Sequence, residues 1–167
     1  IEQAGVHSGD SSCILPTDTL TPSIRRRIIE HARALAQALR VRGLMNLQLA
    51  IRDDEIFVIE VNPRASRTVP FVAKATGRPW SRIAAKVMMG RSLRELGFQE
   101  DQPRPSFYAV KEPVFPFEKF PGVDVVLGPE MRSTGEAMGF DRSLPMALAK
   151  AKMSAWLPLP IKGDVFL

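Results

Sequence analysis

Apolar and polar residues alternate through LMNLQLAI (44–51) and again through EIFVIEVN (55–62), with Arg52-Asp53-Asp54 between them. Period-two alternation on both sides of a short polar turn predicts an antiparallel hairpin. In the first strand Asn46, Gln48 and Ala50 share one face, and Met45, Leu47, Leu49 and Ile51 share the other. In the second, strict alternation puts Ile56, Val58, Glu60 and Asn62 on one face. A loop with an odd number of residues, such as 53–55, sets Gln48 directly across from Glu60. An even loop sets it across from Ile59 and disperses the polar side chains, because cross-strand neighbours point the same way.

Elsewhere the period is helical. Thr21-Pro22 combines a hydroxyl cap with proline at the first helical position. Ile24, Ile28, Leu35 and Leu39 then recur at near-helical spacing up to a stop at Gly43, with Arg25, Arg26 and Arg27 on the solvated face. After Arg67, Thr68 and Pro70 open a short helix through Phe71–Thr76, which Gly77 closes. Pro79 through Met89 predicts a second helix with Ile83, Ala84, Val87 and Met88 inward and Gly90 as its stop, and Ser92–Leu96 a third, short one. Beyond Pro103 the pattern predicts a strand at Ser106–Val110, a long loop from Val114 to Glu136, and a helix over Leu144–Met153, with methionines and phenylalanines filling the core. GVHSGDSSCILPTDTL (5–20) reads as an irregular or edge segment. The fold class expected is α+β, an antiparallel sheet backed by helices with a partly helical C-terminal extension.

Composition narrows the function. With 45% hydrophobic residues in 167, the chain can bury a core, and no apolar run reaches the roughly 18 residues that cross a bilayer. One cysteine, Cys13, makes no internal disulfide and fits a reducing, cytoplasmic setting; a buried structural thiol is the expectation for it. The net charge of +5 suits phosphorylated small molecules as well as nucleic acid. Aromatics at 7% without interleaved basic residues argue against a single-strand stacking platform, so neither nucleic acid nor membrane is expected as a partner. A start at Ile1 suggests a fragment. His31 lies in the first predicted helix with nothing to recommend it chemically.

The chemistry gathers at the end of the hairpin. Gln48, Glu60 and Asn62 supply a carboxylate and two amide oxygens, the hard ligands that Mg²⁺ takes alongside water and substrate phosphates. Arg64 and Arg67 follow as planar donors suited to phosphate or carboxylate oxygens. Cation and guanidinium together offset the charge on a transferring phosphoryl group. Against this stands a plain solvated hairpin face with its charges paired across strands.

VIEVNPRASRTVPFVAKATG (58–77), with GLMNLQ (43–48) and EQAGVHSGDSSC (2–13) upstream and KEPVFPFEKFPGVDVVLGPEMRSTGE (111–136) downstream, closely resembles the large chain of carbamoyl phosphate synthetase. The likeness runs to about Met153, and NPRASRTVPF matches the second, carbamoyl phosphate-forming ATP-grasp module. It implies an ATP-grasp C-terminal lobe over 1–104, and over 105–167 an extension packing on the lobe and leading toward a regulatory domain. It implies ATP- and Mg²⁺-dependent (or Mn²⁺-dependent) phosphorylation of carbamate in arginine and pyrimidine biosynthesis. The partners it implies are the rest of the large chain and a glutaminase small subunit, and the isolated chain is expected to be inactive. By the same resemblance, Gln48 and Glu60 hold the metal and contact nucleotide phosphates, Asn62 is the third metal ligand, and Arg64 and Arg67 surround the phosphoryl group and carbamate. Gly5, Val6, His7 and Ser8 line the ribose and phosphate side of the nucleotide; Gln3, Val6 and Ser11 are candidate potassium ligands; Glu136 lies by a carbamate channel. Two competing readings are another ATP-grasp ligase such as a biotin carboxylase, against which Arg-Ala-Ser-Arg-Thr (64–68) argues, and a non-catalytic assembly module.

Overall fold

The computed structural model describes residues 5–17, 19–98, 105–155 and 162–163. The chain forms two compact units, one of Ile1–Pro16 with Pro105–Leu167 and one of Thr17–Arg104.

In the first unit a short 3₁₀ turn (Ser8–Asp10) leads into β1 (Cys13–Leu15), which lies at the edge of a three-stranded antiparallel sheet. The central strand is the one that spans Tyr108–Val114, and the far strand spans Gly135–Asp141. In chain order these are β4 and β5, since the other unit contributes β2 and β3. The segment read as irregular or edge is both. The strand expected at Ser106–Val110 begins two residues later and runs on through Lys111, Glu112 and Pro113, all buried. β5 was not foreseen. GEAMGFD has no β-branched residue to advertise a strand, and its pairing with β4 from Tyr108↔Asp141 to Val114↔Gly135 fixes it instead.

The helix over Leu144–Ala155 (the fourth, α4) packs on β4 and β5. Its contact is built from small residues. A Cβ on Gly139 would stand 2.1 Å from the Ala147 carbonyl oxygen and 2.5 Å from the Ala151 nitrogen, and Ala147 and Ala151 are fully buried beside Val110. The expectation that methionines and phenylalanines fill this core is therefore corrected: Met146, Met153, Phe120 and Phe140 are exposed. Backbone approaching backbone leaves no room for large side chains between helix and sheet.

The second unit begins with α1 (Pro22–Ala38), capped as expected by the Thr21 hydroxyl, which accepts from the Ile24 N–H at 3.3 Å. Its end differs from expectation. The helix stops at Ala38, and Arg40 takes the left-handed conformation (φ 50°) while Arg40 N and Val41 N bond to Gln37 O and Ala36 O. That two-bond closure satisfies the last carbonyls before the chain reaches Gly43. β2 (Asn46–Arg52) and β3 (Glu55–Asn62) follow as a two-stranded antiparallel hairpin. Then come α2 (Thr68–Thr76), closed by Gly77 at φ 66°, and α3 (Trp80–Met88), followed by Gly90 at φ 95°. Met88, read as facing inward, is exposed, while Ala84 is buried. The third short helix is a single turn: Ser92 N donates to Glu95 Oε2 (2.8 Å) and Glu95 N to Ser92 Oγ (3.2 Å), a reciprocal cap with no helix beyond it. The Ser92 N–H bond to the carboxylate first, and the Ser92 hydroxyl second, lower the Glu95 pKa.

Candidate functional site

The hairpin turn holds two residues, not three. Arg52 pairs with Glu55, and Asp53 and Asp54 both have positive φ (51° and 64°), as a type I′ turn requires. By simple counting this even loop would set Gln48 against Ile59. It does not, because the register shifts between Gln48 and Leu49. Leu49 pairs with Val58, Gln48 pairs with Glu60, and Ile59 is the extra residue of a β-bulge.

The bulge sorts the faces. Leu47, Leu49 and Ile51 share one side with Val61, Val58 and Ile56, all six apolar. Asn46 and Gln48 share the other with Asn62 and Glu60, followed toward the turn by Ala50, Phe57, Arg52 and Glu55. The Arg52 guanidinium lies 5.9 Å from the Phe57 ring centre, as neighbours on one face should. The expectation that Ile56, Val58, Glu60 and Asn62 share a face is thus corrected. One inserted residue turns Val58 and Ile56 away and leaves the carboxylate among amides.

Gln48 and Asn62 are half-buried and Glu60 is exposed. Asn46, directly across from Asn62, was not among the expected site residues, although its place on the Gln48 face was readable. The four side chains offer one carboxylate and three amide oxygens. Among the described residues no three His, Cys, Asp or Glu side chains come together, so any cation here is held by this amide-rich set. Such a set fits a hard divalent ion whose charge is balanced chiefly by substrate phosphates and water, and suits a stand-alone, high-affinity site poorly.

Beyond the strand, Arg64 N donates to the Asn62 carbonyl (2.8 Å), a tight turn that ends β3. The Arg64 side chain is exposed, with Nη1 donating to the Ala65 carbonyl at 2.9 Å. Arg67, also exposed, occupies the position that opens α2. Side-chain contacts tie α2 to α3. Trp80 Nε1 donates to Thr76 Oγ1 (2.9 Å), Thr76 Oγ1 to Val72 O (2.7 Å), and the Trp80 and Phe98 rings are 5.7 Å apart. Arg27 of α1 donates to the Asp54 carbonyl at 2.8 Å and so fastens the hairpin turn.

Gly5, Val6, His7 and Ser8 belong to the other unit. Gly5 is exposed with open space where a Cβ would stand, and Val6, His7 and Ser8 are half-buried. The stretch is fixed by its neighbours. His7 N donates to Gly128 O (2.9 Å), and buried Asp10 accepts from Arg132 N (2.7 Å) and Ser133 N (2.9 Å). Burial works against the charge on Asp10, but the Ser133 side chain and those two N–H groups outweigh it and lower its pKa. Buried Glu112 on β4 accepts from Ser12 Oγ (2.5 Å) and Lys152 Nζ (2.9 Å). Of the three potassium candidates, Gln3 lies outside the described residues and Ser11 is buried with its hydroxyl donating to the His7 carbonyl at 3.4 Å. Glu136 is exposed on β5, across from Pro113.

Residues 1–96 match the model of the carbamoyl-phosphate synthase L chain, ATP binding domain. The chain belongs to this family. It is 56% identical over its whole length to the carbamoyl phosphate synthase large chain of Archaeoglobus fulgidus and 55% identical to that of Methanosphaerula palustris, and spans about one sixth of each (15% and 16%). It is 50% identical to a carbamoyl phosphate synthase large chain of Methanosarcina barkeri, covering 42% of that protein. Among solved structures, a biotin carboxylase domain of a single-chain bacterial carboxylase aligns with 78% of this chain and 36% of its own, at TM-score 0.60 and 19% identity. A multi-domain long-chain acyl-CoA carboxylase aligns with 86% of this chain and 18% of its own, at TM-score 0.66 and 19% identity. These two show the fold, that of an ATP-grasp lobe, in agreement with the α+β reading. No described helix is long and apolar enough to cross a membrane.

Proposed function

We propose that this chain is part of a carbamoyl phosphate synthetase large chain and serves the step in which ATP phosphorylates carbamate. The observation that carries the reading is the bulged register, which sets Gln48 against Glu60 and Asn46 against Asn62 on one face. The family assignment makes that face an ATP-domain surface.

In this reading Gln48, Glu60 and Asn62 hold Mg²⁺ or Mn²⁺, with Asn46 adding a further oxygen. The ion, when bound, neutralises charge on the nucleotide phosphates. No protein nucleophile is needed. A carbamate oxygen attacks the γ-phosphorus while its bond to the β–γ bridging oxygen breaks and ADP leaves, and the chain's own residues orient and stabilise. Arg64 and Arg67 align acceptor and phosphoryl group and balance developing charge. Gly5, Val6, His7 and Ser8 line the nucleotide, and Val6 and Ser11 stand near a potassium ion. Glu136 flanks the carbamate route. The domain division at 104/105, the glutaminase partner, the pathway and a cytoplasmic location belong to the same proposal.

Glu60→Gln keeps the size and one acceptor oxygen but removes the one negative charge of the platform. Turnover in the complete synthetase should fall about 100-fold or more, and calorimetry of this chain should lose the Mg²⁺-dependent part of nucleotide binding. Near-normal turnover in that variant would refute the assignment.

A further inference from the structure

Lys111 places an ammonium in the middle of a sheet. It lies on β4, paired with Cys13 of β1 on one side and Met138 of β5 on the other, and is 1% exposed. Val110 packs beside Ala147 and Ala151 of α4, and Glu112 bonds to Lys152 of the same helix. Alternation therefore points Lys111 away from α4, and its Nζ donates to the Gly9 carbonyl at 3.0 Å. Burying an ammonium is costly unless hydrogen bonds offset it, and methionine would fill a similar space without that penalty. What lysine adds is a charge-assisted bond to one carbonyl.

That carbonyl belongs to the turn that follows His7. Ser133 Oγ also donates to it (3.3 Å), and Asp10 N, on the same peptide unit, donates to His7 O (2.8 Å). The Gly9–Asp10 peptide is thereby held at both ends. The peptide before it is held too, with Gly9 N donating to His7 Nδ1 at 3.0 Å. A Cβ on Gly9 would stand 2.9 Å from the Met131 sulfur, so the turn is packed as well as bonded.

We propose that Lys111 is a positioning residue for the nucleotide: it anchors the Gly9 carbonyl and through it sets the backbone of residues 5–8. The role rests on the reading of that stretch as nucleotide-lining. Lys111 itself touches no substrate and acts through the turn.

Lys111→Met removes the donor and keeps the length. In the complete synthetase, conversion of carbamoyl phosphate and Mg-ADP to carbamate and ATP runs the proposed step in reverse. KM for Mg-ADP should rise about tenfold, with kcat within about twofold of the parent. Hydrogen exchange read by mass spectrometry should quicken in peptides over residues 7–12 and stay unchanged over β4 and β5. An unchanged KM overturns the proposal, and so does a fall in kcat at an unchanged KM. Lost protection across β4 and β5 overturns it as well, because Lys111 would then be holding the sheet rather than the turn. Glu60→Gln, measured alongside, keeps the two claims apart. If that variant forms ATP at the parent's rate, the reading of the step fails and the nucleotide role with it, while exchange over residues 7–12 still decides whether Lys111 fixes the turn.

Discussion

The sheet of β1, β4 and β5 and the hairpin of β2 and β3 are both antiparallel ladders, yet they are held by different physics. β4 has five consecutive buried residues, Ala109 to Pro113, because neighbours flank it on both edges and α4 covers it. No residue of the hairpin between Asn46 and Asn62 is buried, and Phe57, Val58 and Ile59 are each more than two-fifths exposed. The first ladder is specified by packing. The second is specified by a turn, a bulge and the sorting of its faces, and it carries the candidate phosphate chemistry. In the proposed function this surface receives metal and phosphate and so cannot also be sealed into a core, which leaves its precision to backbone geometry.

The largest effect should follow from touching the packed ladder where it has no slack. Gly139→Ala forces a methyl group into the backbone of α4, and overpacking against main chain leaves no side chain to move aside. The expected loss is about 3 kcal/mol or more, measured by urea unfolding. Hydrogen exchange should show the loss in β4, β5 and α4 and spare β2 and β3. Equal loss in both ladders would break the contrast.

A smaller effect is expected at Asp10, which links the turn beside His7 to the segment at Arg132 and Ser133. Asp10→Asn substitutes an amide that can oppose one of two N–H donors with its oxygen and must turn an NH₂ toward the other. About 2 kcal/mol should be lost. The pH dependence has a definite sign. The native carboxyl titrates below its ordinary value of 3.8, so its contribution is complete above that value and disappears as pH falls through the lower native one. Acid unfolding below about pH 4 should therefore be shallower in Asp10→Asn than in the parent. Parallel curves would show that Asp10 is not charged in the fold.

The two ladders also differ in how much of them the sequence discloses. The hairpin was legible from alternation, and the candidate site residues stood out because a carboxylate and amides at the end of an apolar strand are out of place. The bulge was hidden: Val58-Ile59 is an ordinary apolar step, and nothing in it marks which residue will be left unpaired. β5 was hidden for the opposite reason, since Gly139 is there for the sake of a helix that begins five residues later rather than for strand propensity. The α1 stop misled because glycine is the usual left-handed residue, whereas Arg40 accepts that conformation to close the helix earlier. Local signals name elements well, and tertiary contacts decide their ends and faces.

The smallest effect is the sharpest test of the hairpin. Asp53 and Asp54 both occupy left-handed backbone, tolerable for aspartate but easier for glycine. Asp54→Gly creates the Asp-Gly pair that type I′ turns favour, and the Arg27 bond persists because it goes to the Asp54 carbonyl rather than to its side chain. After the entropy cost of the new glycine in the unfolded chain, a net gain of about 0.5 kcal/mol is expected, seen as slower amide exchange in β2 and β3. If face sorting sets the register, relaxing the turn leaves Gln48 opposite Glu60 and Ile59 bulged, and cross-strand NOEs between 48 and 60 survive. If those contacts shift to Gln48 and Ile59, the register was being held by turn strain. The separation of six apolar side chains from the amide-rich face would then be a consequence of the bulge and not its cause.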